Sequence, residues 1–500
     1  MKGFGHPYKE KKKKNQKTKS SKEQIINQAI QFHSQGNIQE AVKYYQYCIN
    51  QDFNDHRVFS NYGVILKSLG KLQEAELLYR KAIEIKPDYA DAHLNLGNIL
   101  SDLGKLQEVE LSTRKAIEIK PDYADAYFNL FRHYEEINNL EKLKESLNEF
   151  NKIESIKNEI LLFRSRLSFR NKEHQTSKKL IDNISPQWIE KSNSRQKIIF
   201  WNYKAFIEDK IGNYDFAYSC FEKSQNDPSY DRFSKDSFLK YINSYKNSVI
   251  NKGKRFNTFN DGIEDYNLAF LIGFPRSGTT LLDTILRSHK DIEVIEEKPL
   301  ISSIEKLVTE KFNIKIDNIF NISEDNIIIL RQKYFELLNE YRNTKGKLII
   351  DKFPLHTPRL PLINLLFPNA KIIFTHRQPY DTVLSCFQQS FGPNSAMANL
   401  VSLKSSSIMY DQVMFVWDIY KNNLPLDYIT SKYEHLISDF DDHTLKILEF
   451  LGVGWDENVR NYRKTALERS KINTPSSSQV VQPIYKSSIE KWKNYEKYFE

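Results

Sequence analysis

The sequence predicts an array of helical hairpins followed by an α/β domain with a parallel sheet. A 34-residue repeat in the first half indicates the hairpins, and short apolar runs that alternate with helical stretches after residue 267 indicate the sheet. A chain of 500 residues is also too long for one core. We therefore divide it into a disordered lysine-rich tail at 1–22, hairpin repeats at 23–155, degenerate helical repeats and linker helices at 156–260, and the α/β domain at 261–500.

The formal net charge of +9 comes almost entirely from the tail. Residues 1–22 contain nine lysines and one glutamate, a net charge of +8, so the remaining chain is nearly neutral and predicts no specific nucleic-acid partner. With almost no apolar residue to bury, the tail cannot offset the entropy of ordering and should be disordered. We interpret it as a solvated tail, with weak contact to an anionic surface as the alternative.

Export and membrane signals are not expected in this sequence. No apolar stretch reaches the roughly 18 residues of a membrane helix, and the basic start is not followed by the apolar core of a signal peptide. The three cysteines are far apart, odd in number and without metal-ligand spacing, which argues against a disulfide framework. We expect a cytoplasmic protein with no membrane span and no metal.

The repeat has a period of 34 residues. LGKLQE occurs at 69–74 and 103–108, and KAIEIKPDYADA occurs at 81–92 and 115–126. Small residues recur where paired helices must approach closely, as at Gly63 and Gly97. Each unit is therefore predicted to be a helical hairpin, whose first helix ends at a glycine in one shared phase: Gly36, Gly70 and Gly104.

These units resemble tetratricopeptide repeats over about residues 22–155, with the first and fourth units degenerate. Val109 replaces the alanine expected at the close contact of the third unit. Gly212, Ala217 and Phe221 repeat the spacing of the earlier units, so hairpins are predicted to continue to about residue 228. Stacked repeats form a curved surface, where we expect a protein or peptide partner. A rigid spacer without a ligand is the alternative.

The second half has the pattern of a phosphate-binding α/β domain. Leu268 to Ile272 is a buried-strand candidate, followed by the loop GFPRSG and by a helical stretch that begins at residue 279. Two further strand candidates, Lys347 to Ile350 and Lys371 to Thr375, flank a helical stretch at 357–367. This βαβ alternation predicts a parallel sheet, with ligands at the carboxyl ends of its strands.

The loop after the first strand is P-loop-like but lacks the P-loop lysine. Gly273 and Gly278 have the Walker spacing, and Thr279 stands where the lysine would be. Glycines let backbone N–H groups turn toward a phosphate, and the helix start adds unpaired donors. Without the lysine, transfer of a γ-phosphoryl group with Mg²⁺ is poorly served, which implies another phosphorylated donor. An ordinary strand-to-helix connection is the alternative for the loop alone.

Three more segments follow the loop in order: EVIEEKP at 293–299, IIDKFP at 349–354 and THRQPYDTVLS at 375–385. Together with FPRSGTTLL they resemble the sulfotransferases that use 3′-phosphoadenosine 5′-phosphosulfate (PAPS), over about residues 266–495. The likeness is to the tyrosylprotein branch and its bacterial relatives with tetratricopeptide repeats. It implies PAPS as co-substrate, an acceptor hydroxyl, and catalysis without a metal.

The resemblance also implies roles for individual residues. Glu297 matches the general base, with Glu296 as its structural neighbour, and Lys352 matches the lysine at the bridging oxygen of the leaving nucleotide. Arg276 matches a residue that also stabilises charge on the sulfuryl group. The alternatives are a solvated acid or a salt bridge to Arg276 for Glu297, and a surface lysine for Lys352.

The same resemblance implies a set of nucleotide contacts. The loop would cradle the 5′-phosphosulfate, an arginine and serine pair would hold the 3′-phosphate, and late segments, including 476–485, would close over the adenosine. Tyr433 could instead belong to a strand-face core, and Lys491 could be an exposed helix lysine. The complete implied set is Arg276, Ser277, Gly278, Thr279, Thr280, Arg377, Ser385, Tyr433 and Lys491.

Departures from the tyrosylprotein branch leave the acceptor open. This chain has Lys298 and Pro299 where that branch has arginine for acidic peptides, and Gln389 where it has another arginine near the nucleotide. Two rival functions remain. The missing P-loop lysine counts against a kinase or NTPase, and the joint presence of the three catalytic candidates counts against a non-catalytic scaffold that only binds nucleotide.

Overall fold

The computed structural model describes residues 9–251, 267–342, 347–469, 472, 474 and 476–499, with the side chains of all these except 9–21 and Ser478. The chain divides into two compact units, Met1–Leu167 and Ser168–Glu500. The predicted segment boundary at 260 and 261 lies outside the described residues.

The first unit is built of helices that pair along the chain. Equivalent helices of successive pairs begin at His56, Ala90 and Ala124, which reproduces the 34-residue period. The helices are α1 (Lys9–Ser34), α2 (Ile38–Asn50), α3 (His56–Ser68), α4 (Leu72–Ile85), α5 (Ala90–Asp102), α6 (Leu106–Ile119), α7 (Ala124–Glu136) and α8 (Leu140–Glu149), and α9 (Lys157–Arg170) continues into the second unit.

Glycine ends the first helix of the hairpins, as the sequence predicts. Gly36, Gly70 and Gly104 all have a φ of 75°, a left-handed conformation that a β-carbon disfavours. Asn138 occupies the same phase of the fourth hairpin with a φ of 56°. Asparagine tolerates this conformation better than most residues, so the hairpin closes without glycine.

Paired helices touch at the small residues of the repeat. A β-carbon on Gly63 would lie 2.9 Å from the ring of Tyr79, and one on Gly97 would lie 2.7 Å from Oγ1 of Thr113. Val109, which replaces the expected alanine, is buried. The predicted close contacts are therefore present.

Helix α1 begins inside the segment for which the sequence predicts disorder. Its backbone is helical from Lys9, and residues 1–8 of that segment lie outside the described residues. Lysine is a good helix former, and extending an existing helix costs less than nucleating one. The first repeat helix can therefore extend backward into the lysine-rich stretch.

The second unit begins with helices α10 (His174–Asp182), α11 (Pro186–Lys191), α12 (Ser194–Lys210), α13 (Tyr214–Gln225) and α14 (Lys235–Ile250). Helices α12 and α13 pack together around Gly212, whose φ is 86°. Ala217 and Phe221 are fully buried. The hairpin predicted to reach about residue 228 is present.

The rest of the second unit is a five-stranded parallel sheet with helices on both faces. Its strands are β1 (Leu268–Gly273), β2 (Ile292–Glu296), β3 (Leu348–Lys352), β4 (Lys371–His376) and β5 (Asp427–Lys432), in the order β2-β3-β1-β4-β5. The helices are α15 (Thr279–Arg287), α16 (Leu300–Lys306), α17 (Glu324–Asn339), α18 (Leu360–Leu366), α19 (Pro379–Phe387), α20 (Leu403–Asn423), α21 (Tyr433–Ser438), α22 (Phe440–Leu451), α23 (Tyr462–Glu468) and α24 (Ser477–Val480), followed by a 3₁₀ helix (Lys491–Tyr498).

Alternate residues of the central strand β1 pack into two separate cores. Leu268 and Phe270 face the core that includes α14, α17 and α20, whereas Ala269 and Leu271 face the core that includes α15 and α22. A strand buried on both faces reads as a continuous apolar run, which is why the sequence signal for β1 is strong. The predicted fold class, a repeat array followed by an α/β domain with a parallel sheet, is confirmed.

The helices of the described ranges include none that is both long enough and apolar enough to cross a membrane.

Candidate active site

A candidate site residue lies at or just after the carboxyl end of every strand of the sheet. All strand pairs are parallel, so the five carboxyl ends lie at one edge of the sheet. In strand order along the chain the residues are Arg276 after β1, Glu297 after β2, Lys352 at the end of β3, Arg377 after β4 and Tyr433 after β5.

The loop between β1 and α15 brings backbone donors to this edge. Gly278 has a φ of 100°, and a β-carbon there would lie 2.7 Å from the ring of Tyr433. Thr279 and Thr280 follow as the first residues of α15, where helical N–H groups have no partner within the helix. The start of α15 is therefore suited to bind an anion, because its free N–H groups and the positive end of the helix dipole both favour negative charge there.

The guanidinium of Arg276 is held by three side chains. Its Nε donates to Oγ of Ser385 (3.0 Å), its Nη2 donates to Oε1 of Gln479 (2.8 Å), and its Nη1 donates to Oγ of Ser476. Burial lowers the pKa of Arg276 below its ordinary value. Since arginine titrates far above neutrality, the side chain remains a cation.

Arg377 lies beside Arg276. Its Nη1 donates to the carbonyl oxygen of Arg276 (3.3 Å), its Nη2 donates to the carbonyl oxygen of Ser488 (2.6 Å), and its guanidinium lies 4.8 Å from the ring centre of Tyr433. Its Nε is buried and has no hydrogen-bond partner among the described residues. A buried, unpaired arginine N–H beside a second arginine is suited to bind an anion.

A pocket of about 570 Å³, which counts its opening to solvent, joins these elements. Both arginines line it, together with the start of α15 and with Tyr433. Residues of the late segment predicted at 476–485 also line it. The lining includes Arg276, Gly278, Thr279, Thr280, Arg377, Tyr433, Ser476, Gln479 and Tyr485.

Glu297 and Lys352 form a second cluster on the neighbouring strands and do not line this pocket. Nζ of Lys352 lies 2.6 Å from Oε1 of Glu297 and 3.5 Å from Oε1 of Glu296. The lysine side chain is fully buried, which excludes the alternative of a surface lysine. Glu297 is therefore paired with Lys352, and no bond to Arg276 is found among the described residues.

Charges in this cluster shift the pKa values of its members. Burial alone would lower the pKa of Lys352, but Glu297 and Glu296 hold it above its ordinary value. Burial alone would raise the pKa of Glu296, but Lys352 and Arg469 hold it below its usual range. Arg469 also donates from its Nη2 to Oε2 of Glu296. Both the lysine and Glu296 are therefore charged at neutral pH.

Two predicted contact residues bond to other groups of the protein. Ser277 donates from its hydroxyl to the carbonyl oxygen of Phe274 (2.7 Å), and its own N–H bonds to the same oxygen (3.2 Å). Lys491 is not an exposed helix lysine, because its Nζ lies 2.9 Å from Oδ2 of Asp209 and 3.0 Å from Oε1 of Gln388.

The sequence interpretation missed several residues that shape the site. Arg469, Asp209 and Gln388 each contact a predicted residue from a distant part of the chain. Asp381 accepts from the backbone N–H groups of Glu490 and Trp492 and so holds the segment that carries Lys491. Asp381 lies within the THRQPYDTVLS segment, where the motif gave it no role, and the other three residues lie outside the quoted motifs, so their positions in the fold reveal them. In the part of the chain that the structure describes, no three His, Cys, Asp or Glu side chains are grouped to hold a metal ion.

Comparison with known families agrees with both halves of this description. Residues 269–457 match the model of the sulfotransferase family. Residues 63–104 match a model of the TPR repeat, and residues 90–123 match a model of the tetratricopeptide repeat. The resemblances predicted from the sequence are confirmed.

Individual relatives match about half of this chain. An uncharacterized protein of Aquifex aeolicus is 29% identical over 237 residues, which cover 46% of this chain and 31% of that protein. A protein-tyrosine sulfotransferase of Drosophila melanogaster is 26% identical over 276 residues, which cover 50% of this chain and 52% of that enzyme. Among solved structures, the sulfotransferase domain of the Synechococcus PCC 7002 olefin synthase has 21% identity and a TM-score of 0.33, and the match covers 48% of this chain and 91% of that domain. The chain thus spans a third to a half of the length of these two curated relatives.

Proposed function

We propose that the C-terminal half of this chain transfers a sulfuryl group from PAPS to an acceptor hydroxyl. The observation that carries the proposal is the meeting of two arginines at one pocket, where Nη1 of Arg377 lies 3.3 Å from the carbonyl oxygen of Arg276. PAPS has anionic groups at both its 5′ and 3′ positions, so one bound molecule needs two cationic subsites. Arginine suits both, because its planar fork matches phosphate and sulfate oxygens.

One subsite would bind the 5′-phosphosulfate of the donor and the other its 3′-phosphate. The start of α15, with Thr279 and Thr280, offers backbone donors and a helix N-terminus to the 5′-phosphosulfate. Arg377, with its unpaired Nε, and Ser385 would take the 3′-phosphate. Tyr433 packs against both Gly278 and Arg377, so it fixes the two subsites relative to each other.

The paired Glu297 and Lys352 suggest how transfer is activated. The oxygen of the acceptor forms a bond to sulfur while the bond from sulfur to the 5′-phosphate oxygen of the donor breaks. Glu297 takes the proton of the acceptor hydroxyl, and Lys352 and Arg276 neutralise the charge left on the nucleotide. Because Lys352 is bonded to Glu297 at 2.6 Å, its movement toward the leaving oxygen would also free the carboxylate to act as a base.

The acceptor is the less constrained half of the reaction. The names of several relatives favour protein tyrosine. This chain has Lys298 and Pro299 where the tyrosylprotein branch has an arginine for acidic peptides. Sugar, lipid and small-molecule hydroxyls therefore remain candidate acceptors beside tyrosine. The tetratricopeptide units would recruit a protein partner, and we propose the cytoplasm as the location.

Ligand-induced stabilisation tests the donor site. We expect adenosine 3′,5′-bisphosphate to raise the melting temperature of the full chain more than ATP with Mg²⁺ or adenosine 5′-monophosphate does. A larger shift with ATP and Mg²⁺ would favour a kinase or NTPase, and no shift with any nucleotide would reject the proposal. Turnover of ³⁵S-labelled PAPS with tyrosine peptides, sugars and phenols then separates an enzyme from a scaffold that only binds nucleotide.

A further inference from the structure

The hairpin α12–α13 precedes the region that matches the sulfotransferase family, yet it contacts two elements beside the candidate nucleotide pocket. Gln225 on α13 donates from its Nε2 to the carbonyl oxygens of Phe387 (2.5 Å) and Gln389 (2.8 Å) at the end of α19. Asn202 on α12 donates to the carbonyl oxygen of Gln388 (2.9 Å). The hairpin therefore satisfies the carbonyl groups at the end of the helix that carries Ser385.

The same hairpin also fastens the C-terminal 3₁₀ helix. Asp209 near the end of α12 accepts from the hydroxyl of Tyr495 at Oδ1 (2.7 Å) and binds Nζ of Lys491 at Oδ2 (2.9 Å). Asp215 on α13 accepts from the hydroxyl of Tyr498 (2.9 Å), and the rings of Tyr218 and Tyr498 stack with centres 3.7 Å apart.

The side chain of Asp209 is buried, with 3% of its surface exposed, whereas that of Asp215 is 67% exposed. Burial lowers the pKa of Lys491 despite its bond to Asp209. A buried ammonium needs a carboxylate nearby to remain charged. Among the described residues, the Lys491 ammonium also contacts the uncharged Oε1 of Gln388, which directly follows α19, one turn beyond Ser385.

We infer that Asp209 is a positioning residue for nucleotide binding: it holds the ammonium of Lys491 against Gln388, at the end of the helix that carries Ser385, where the 3′-phosphate of the donor would bind. This inference rests on the function proposed above and extends it to a helical hairpin outside the matched region. It assigns Asp209 no contact with the substrate. Because Asp209 acts through Lys491, it should affect binding of the 3′-phosphate and leave binding of the rest of the nucleotide unchanged.

The ratio of two affinities tests the inference in the full chain. Adenosine 3′,5′-bisphosphate and adenosine 5′-monophosphate differ by the 3′-phosphate alone, so the ratio of their dissociation constants isolates that subsite. We express this ratio as the dissociation constant of the monophosphate divided by that of the bisphosphate. We expect Asp209→Asn to reduce it by about tenfold or more, the scale of one charge-assisted contact, because bisphosphate binding weakens and monophosphate binding stays unchanged. Asp215→Asn is the matched control, because it loosens the same 3₁₀ helix from the same hairpin and should leave the ratio unchanged.

A double-mutant cycle separates positioning from general loss of structure. In a Lys491→Met background, Asp209→Asn should have no further effect on the ratio, because its target is gone. The inference would be overturned if Asp209→Asn left the ratio unchanged, whether or not both affinities fell. It would also be overturned if Asp209→Asn changed the ratio as much in the Lys491→Met background as in the wild type. If Asp209→Asn does not fold, Tyr495→Phe removes one hydrogen bond from the same carboxylate, and an unchanged ratio there would also overturn it.

The wild-type ratio distinguishes this inference from the proposed function. A wild-type chain that binds the bisphosphate no more tightly than the monophosphate contradicts both. A wild-type preference for the bisphosphate that survives Asp209→Asn contradicts the inference and leaves the proposed donor standing.

Discussion

Lys352 is shared between two glutamates that differ in exposure. Its Nζ lies 2.6 Å from Glu297 and 3.5 Å from Glu296, and the side chains of these glutamates are 28% and 7% exposed. Glu297 is therefore the more accessible of the two carboxylates from solvent. The backbone of Glu297, immediately after β2, has a φ of 50°, in the left-handed region.

Glu297→Gln tests the proposed base. The substitution keeps the size of the side chain and removes its ability to take a proton, so turnover should fall roughly 100-fold to 10,000-fold. Affinity for adenosine 3′,5′-bisphosphate should stay unchanged in a binding titration, because Glu297 does not line the pocket. Glu310→Gln, at a glutamate that is 67% exposed, is the control. Turnover equal to wild type would exclude Glu297 as the base.

Glu296→Gln tests a structural role for the second glutamate. Glu296 pairs with Lys352 and Arg469, and removing one partner of a buried ion pair costs about 3 to 5 kcal/mol. We expect a loss of about 3 kcal/mol in the free energy of unfolding at pH 7, measured by urea denaturation. Glu336→Gln, at a glutamate that is 65% exposed, should change it by less than about 0.5 kcal/mol.

The pH dependence of that loss has a definite sign. Because the pKa of Glu296 is lowered in the folded state, its contribution is fully present above the unfolded value of about 4.3. It disappears as pH falls through the folded pKa. The stability difference between wild type and Glu296→Gln should therefore shrink below about pH 4. A difference that stays constant down to pH 3 would contradict the charged pairing.

Sequence reasoning succeeded where local chemistry determines the structure. The strand candidates that correspond to β1, β3 and β4 are nearly continuous apolar runs, as expected for strands buried on both faces. Strand β5 was not predicted, because it lies at a sheet edge and most of its residues are exposed. Strand β2, at the other edge, was noted for its glutamates and not as a strand.

Some residues of the candidate site could likewise be predicted from the sequence, and others could not. Arg276 and Arg377 could be predicted because each follows a strand in a readable motif, and they lie together as that reading requires. Asp209 could not be predicted, because it contacts Lys491 across a sequence distance that no local pattern spans. Partners of this kind follow from tertiary packing, so they become visible when the fold is known.

Arg377→Ala tests the 3′-phosphate subsite. Removing a guanidinium that makes a charge-assisted contact should weaken binding of adenosine 3′,5′-bisphosphate by about 2 to 3 kcal/mol in a titration. Binding of adenosine 5′-monophosphate should change much less, which separates loss of the contact from loss of the fold. Arg460→Ala, at a half-exposed arginine paired with Asp441, is the control. Equal bisphosphate affinity in Arg377→Ala and wild type would place the 3′-phosphate elsewhere.

Gly278→Ala tests the geometry of the loop itself. The φ of 100° is costly for any residue with a β-carbon, and the new carbon would lie 2.7 Å from the ring of Tyr433. The free energy of unfolding should fall by about 1 to 3 kcal/mol, and bisphosphate affinity should fall because the donors at the start of α15 are displaced. Gly392→Ala is the matched control, since no atom lies within 4 Å of its added carbon. If Gly278→Ala binds the bisphosphate as wild type does, the start of α15 is not the anion site.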